Sequence, residues 1–367
     1  MEHHDFAISN YFTNIEDPRK YNIQHTLIDI ITITICALIC GAQNWGDVEQ
    51  YGKSKYQWLK QFLALPNGIP SHDTFGRVFS MLDPQQFKEA FLNWSQSIQT
   101  LIGQIAIDGK TLRASHDNTA GKSAIHMVSA WAVENGIVLG QVRTDEKSNE
   151  ITAIPELIKQ LELQGAIVSI DAMGCQKTIA KQIIEKKGDY VFSLKGNHSA
   201  LHDQVALFFK DPQNTSEFDC LASTDGDHGR IEVRRYETCD TIDWLQGKEN
   251  WAGLKTITKV ERERHIDGKA STETSFYISS LSRDVHKIAR AIRRHWHIEN
   301  SLHWVLDVSF DEDRCRVRKD HAPENMAILR HIVLNMIKQE KSFKGSIQRK
   351  RLKAAWENDY LLRILNL

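Results

Sequence analysis

The 367-residue chain has six cysteines, at 36, 40, 175, 220, 239 and 315, and no CxxC pair among them. That argues against a zinc ribbon and a disulfide scaffold, and for a reducing compartment such as the cytoplasm. Long apolar runs are missing too. The longest, LIDIITITICALIC at 27–40, is short for a membrane span and carries Asp29, so a buried helix is expected. The opening MEHHDFAISNYF has no signal-peptide pattern. Repeats and low-complexity tracts are absent. Net charge is −1, which gives no overall polyanion-binding signal. Two familiar signatures also fail. HExxH does not occur. AGKS at 120–123 ends like a phosphate-binding loop, but the first glycine of GxxxxGK[ST] would fall on His116, so a turn is expected instead.

What charge there is sits unevenly. From Arg283 to Leu367 there are 18 lysines and arginines against 11 acidic residues, an excess of +7, while the rest carries −8. A basic C-terminal portion suits a polyanion on one face, or simply a solvated helical surface.

The pattern divides the chain into an N-terminal helical domain (1–100), an α/β domain (101–345) and a basic helical tail (346–367). In the first part, LPNGIPSHDTFGRVFSML holds a Pro-Gly break and then Ser71 as an N-cap. Asp83-Pro84 closes that helix and QQFKEAFLNWSQSIQ starts the next. A helix-turn-helix DNA reader and a dimerisation module fit equally. From 101 the order is strand (GQIAIDGKT), hairpin around Glu134-Asn135-Gly136, helix (EITAIPELIKQLELQG), strand (AIVSIDAMG), helix, strand (DYVFSLKGN). This predicts a mixed sheet flanked by helices. Residues about 200–282 read as a β-rich insertion. Helix resumes near Asp284.

Asp108 and Asp171 each sit late in an apolar strand. Ligands gather at the carboxyl ends of strands in such sheets. Either aspartate alone is better explained as a turn or cap residue. Two in matching contexts suggest a pair that needs a cation, and hard oxygen donors suit Mg²⁺ or Mn²⁺. On one continuous helix at about 100° per residue, Ile292, His295, Trp296, Leu302, His303 and Leu306 fall within about 60° of Glu299. The glutamate is then central on an apolar stripe and needs a metal, a buried cation, or His295 and His303 as partners. A zinc site from His295, Glu299 and His303 has workable spacing but lacks the signature. Trp296 and Trp304 are expected to pack against the fold.

The ordered motifs IAIDGKTLR (105–113), KSNEITAIPELI (147–158), IDAMGCQ (170–176), DYVFSLKGN (189–197), HGRIEVRR (228–235) and HWHIENSLHWVLDVSFDED (295–313) go further. With GIPSHDTFGRVFSMLD (68–83), they resemble the DDE transposases of bacterial insertion sequences, in the branch of H-repeat-associated proteins of Rhs elements. The resemblance covers nearly the whole chain. It implies a ribonuclease H-like catalytic domain. It also implies that Asp108, Asp171 and Glu299 are catalytic and hold two divalent ions, with Asp108 bridging. Two ions about 4 Å apart suit in-line displacement at phosphorus. The implied partner is double-stranded DNA, both terminal inverted repeats and target, engaged by at least a dimer.

Lys110, Arg113, Lys195, Arg293 and Arg294 are then candidate phosphate contacts, and His295 and His303 candidates for supporting the carboxylates. Many relatives carry tyrosine, arginine and lysine at −7, −4 and +7 from the glutamate. Here Ile292, His295 and Leu306 stand there, so those roles do not transfer. The implied activity is 3′-end cleavage and strand transfer. A nuclease without strand transfer, or a decayed DNA-binding relic, are the alternatives.

Overall fold

The computed structural model describes residues 9–366 except 22, 101, 117–122, 145–149, 228–229 and 267–268. The AGKS turn and the leading residues of KSNEITAIPELI and HGRIEVRR lie largely outside these.

Among the described residues six helices come first: α1 (Ser9–Phe12), α2 (Leu27–Ile39), α3 (Trp45–Ser54), α4 (Tyr56–Leu59), α5 (His72–Met81) and α6 (Pro84–Ser97). Local chemistry sets several of their starts. Thr26, Asn44, Ser71 and Asp83 each accept a first-turn N–H as N-caps. The apolar run at 27–40 is the buried α2, and Asp29 is satisfied there by the Leu65 N–H at 3.1 Å. Among the described residues, no helix is long and apolar enough to cross a membrane.

The sheet begins with the meander β1 (Gln104–Leu112), β2 (Ile125–Ala132) and β3 (Ile137–Arg143). It continues through α7 (Glu150–Gln160), β4 (Ile167–Ile170), α8 (Lys177–Glu185) and β5 (Asp189–Leu194). β4 runs parallel to β1, and β5 parallel to β4. This is the expected ribonuclease H-like order. After α9 (Ser199–Lys210) come β6 (Asp219–Asp227), β7 (Arg230–Cys239), β8 (Thr256–Ile266) and β9 (Lys269–Ser279). β9 pairs antiparallel with β5, so one nine-stranded sheet results, in the order β3-β2-β1-β4-β5-β9-β8-β7-β6. The inserted strands extend the main sheet instead of standing apart from it. Their span also opens with a helix rather than strand: Leu201, Val205 and Phe209 recur every four residues and bury one face of α9.

The chain ends in α10 (Val285–His295), a π-helical turn (Glu299–His303), α11 (Trp304–Phe310), α12 (Ala322–Gln339), α13 (Ile347–Trp356) and α14 (Asn358–Leu365). Helix α12 packs against α2, α5, α6 and β3. One apolar core therefore unites residues 12–94 with residues 298–365. A second core lies on the other face of the sheet, under α7, α8 and α9. Part of the C-terminal basic excess turns inward. Arg330, Lys350 and Arg351 are buried, with Arg351 donating to the Leu38 carbonyl at 2.8 Å.

Candidate active site

Strand register brings the two aspartates together. The pairing of β1 with β4 ends at Ile107↔Ile170, and Asp108 and Asp171 are the next residues on each chain. Asp108 is not at a strand end, as the sequence suggested. β1 continues to Leu112 against β2, with Asp108 opposite Ser129. Only its β4 side is open, and that is the side on which Asp171 lies. Backbone amides fix both carboxylates. Gly109 N–H donates to Asp108 at 2.9 Å, and Met173 N–H donates to Asp171 at 3.0 Å.

Glu299 arrives from the C-terminal helices, but not as a straight helix would present it. The π turn inserts an extra residue into the i→i+4 ladder and rotates the residues beyond it. Ile298, Leu302, Val305 and Leu306 form the buried stripe, while the Glu299 side chain is 53% exposed. The glutamate faces the cleft instead of the core. Trp296, at the end of α10, and Trp304, just after the π turn, are about half exposed, so neither is a packing residue, and the Arg262 guanidinium lies 5.9 Å from the Trp296 ring. His303, buried, donates from Nδ1 to Glu299 at 2.9 Å and lies 3.7 Å from Asp108. That hydrogen bond holds the Glu299 carboxyl below its usual range. His295 does not reach the glutamate. Its Nδ1 meets the Ser169 hydroxyl at 3.1 Å, and loss of water pushes the ring down to about 4, so it stays neutral.

The ligand atoms fall into two sets. Asp108, Glu299 and His303 lie within 4.8 Å of one another, and so do Asp108, Glu150 and Asp171. Asp108 belongs to both. Burial pushes its carboxyl up to about 6 against the opposing pull of His303, and burial likewise raises Asp171. Among the described residues no lysine or arginine pairs with any of the four carboxylates. The donor set suits a hard divalent cation. A cleft of about 270 Å³ opens over it, lined by Asp108, Asp171, Lys195, Tyr277, His295 and Glu299 among others.

The candidate phosphate contacts separate. Lys195 is exposed on the cleft wall. Arg113 is 80% exposed, with Asp313 3.4 Å away. Arg294 pairs with Glu134 at 2.6 Å, and Arg293 approaches Asp225 at 3.8 Å. Lys110 is not available. It is enclosed by Asp307 at 2.7 Å, Asp313 at 3.1 Å and Glu312 at 3.6 Å. Alternation explains this: Asp108 and Lys110 share a face of β1, but α11 and the turn after it cover that face beyond the cleft. Sequence reasoning treated Glu150 only as the start of a helix. The usable signal was topological: the helix after β3 begins at the sheet end where Asp108 sits.

Residues 100–336 match the family described as "Transposase DDE domain", and residues 9–95 match the family described as DDE_Tnp_1-associated. The chain belongs to the DDE transposase family. It is 41% identical to the "H repeat-associated putative transposase YhhI" of Escherichia coli (strain K12), over 98% of this chain and 97% of that one. It is 47% identical to an "Uncharacterized protein in dhlA 3'region" of Xanthobacter autotrophicus, over 75% of this chain and 94% of that one. A solved piggyBac transposase synaptic complex with hairpin DNA aligns with a TM-score of 0.47 and 11% identity, covering 99% of this chain and 78% of that chain. Divalent metal use, implied by the family, agrees with the acidic clusters of this transposase.

Proposed function

We propose that this transposase cleaves and rejoins DNA phosphodiester bonds at insertion-sequence ends, with Asp108, Asp171 and Glu299 as the catalytic carboxylates. One observation carries the reading. Asp108 presents an oxygen to both ligand sets, and among the described residues no lysine or arginine pairs with their carboxylates. Asp108, Asp171 and Glu299 would hold two Mg²⁺ or Mn²⁺ ions, which would supply activation of an attacking oxygen and stabilisation of the leaving one. The protein's own part is orientation. Gly109 N–H occupies one oxygen of Asp108 and leaves the other facing His303. Met173 and Gly174 N–H groups hold one oxygen of Asp171. His303 fixes Glu299, and Ser169 fixes the neutral ring of His295 on the cleft wall. Lys195 meets a phosphate of double-stranded DNA, with Arg113, Arg293 and Arg294 as outer contacts. The helical N-terminal region engages the terminal repeats, and two copies act on paired ends.

Purified protein with Mg²⁺ and DNA carrying the element's terminal repeats is expected to release 3′-OH ends and join pre-cut ends to a target. Asp108→Ala is expected to lower both by more than the roughly 10–100-fold typical of an outer-shell partner. Full activity in that variant sinks the assignment. Cleavage without joining leaves a nuclease.

A further inference from the structure

We propose that Glu150 is a fourth carboxylate ligand of the site, binding a divalent cation together with Asp108 and Asp171. This rests on the metal-dependent reading above and adds a residue to it. Glu150 opens α7, and its side chain is 17% exposed. Its carboxylate reaches the two aspartates because Gly109 lets it through. A Cβ at 109 would lie 2.2 Å from Glu150 Oε1 and 2.3 Å from His126 Nε2. Gly109 is not among the glycines with positive φ, so backbone conformation does not require glycine there. The close approach of Glu150 does.

The carboxylate is also aimed. Nε2 of His126 hydrogen-bonds Oε1 at 2.8 Å, and Nδ1 of the same ring meets the Thr111 hydroxyl at 2.9 Å. Thr111 and His126 are direct partners in the β1–β2 ladder, so the relay is anchored in the sheet. One oxygen of Glu150 is thereby held and the other is left for a cation. This is the arrangement by which outer groups orient metal ligands. Charge points the same way. Asp108, Glu150, Asp171 and Glu299 together carry the charge of two divalent cations. Three carboxylates crowded within 4.8 Å without a lysine or arginine partner among the described residues are costly otherwise.

The test is Mn²⁺ binding by the full-length, DNA-free protein, followed by electron paramagnetic resonance and calorimetry. Glu150→Gln keeps the side chain's shape and its contact with His126. It is expected to weaken the binding of one Mn²⁺ by about 10–100-fold, with unchanged circular dichroism. Gly109→Ala, which displaces the Glu150 carboxylate without removing any carboxylate from the chain, is expected to do the same. Asp108→Asn is the reference and is expected to abolish binding. If Asp108→Asn removes Mn²⁺ binding while Glu150→Gln and Gly109→Ala leave it intact, the role of Glu150 is overturned and the site stands. If Asp108→Asn also binds Mn²⁺ normally, the reading of the site fails and Glu150 falls with it.

Discussion

Three clusters of carboxylates lie in this fold, and two of them treat charge in the opposite way to the third. Around Lys110, the carboxylates of Asp307, Glu312 and Asp313 converge on an amine, and Arg330 approaches Glu312 from the far side at 3.5 Å. On the inserted strands, Glu232 is 3% exposed and faces Arg230, Arg234, Arg262 and Arg264. In both places the chain supplies its own counter-charge. At Asp108, Glu150, Asp171 and Glu299 it supplies histidines and backbone amides but no lysine or arginine pair among the described residues. Buried charge that is paired holds a fold together. Buried charge that is left unpaired must be answered from outside.

The comparison can be broken by experiment. The largest effect is expected at Glu312, which is 2% exposed. Glu312→Gln leaves two enclosed cations short of a partner and is expected to cost about 3–5 kcal/mol in denaturant unfolding. Glu232→Gln should cost less, roughly 1–3 kcal/mol, because Arg230 and Arg264 reach water. Asp171→Asn should go the other way without metal, raising stability by about 0.5–2 kcal/mol as repulsion is relieved. A loss as large as that of Glu312→Gln would erase the distinction between the clusters.

At neutral pH the smallest effect concerns His331, whose contribution shows only in acid. Burial, with His303, Arg330 and Lys110 nearby, pushes its ring down to about 3 from the usual 6.5. The unfolded chain then binds more protons between those values, so stability is full above about pH 6.5 and falls as pH drops toward 3. His331→Leu should flatten that slope in pH-dependent melting. An unchanged slope would show that burial of this ring does not couple folding to pH.

Much of this was readable in the residues. The cap at Ser71, the break at Asp83-Pro84, the hairpin at Glu134-Asn135-Gly136 and the α/β alternation depend on local chemistry, and they formed where the sequence placed them. The juxtaposition of Asp108 with Asp171 needed only the guess that their strands are neighbours. What escaped was set by three-dimensional approach. The π turn that swings Glu299 out of the apolar stripe leaves no mark in a 3.6-residue period. The enclosure of Lys110 depends on carboxylates some 200 positions away. Glu150 looked like any acidic first-turn residue until Gly109 and His126 were placed beside it. α9 was missed because a polar, β-rich neighbourhood hid a short helical stripe.

The apolar core that joins residues 12–94 to residues 298–365 has a consequence in time. A ribosome delivers the N-terminal helices first, yet the surface they are built to cover is made some 200 residues later. At about 5–20 residues per second the early helices wait on the order of ten seconds or more with their apolar faces uncovered. Glu299 emerges near the end of the same interval. Closure of that core and completion of the carboxylate set are therefore nearly simultaneous events in synthesis. A chain interrupted before Glu299 would have neither a finished fold nor a finished site.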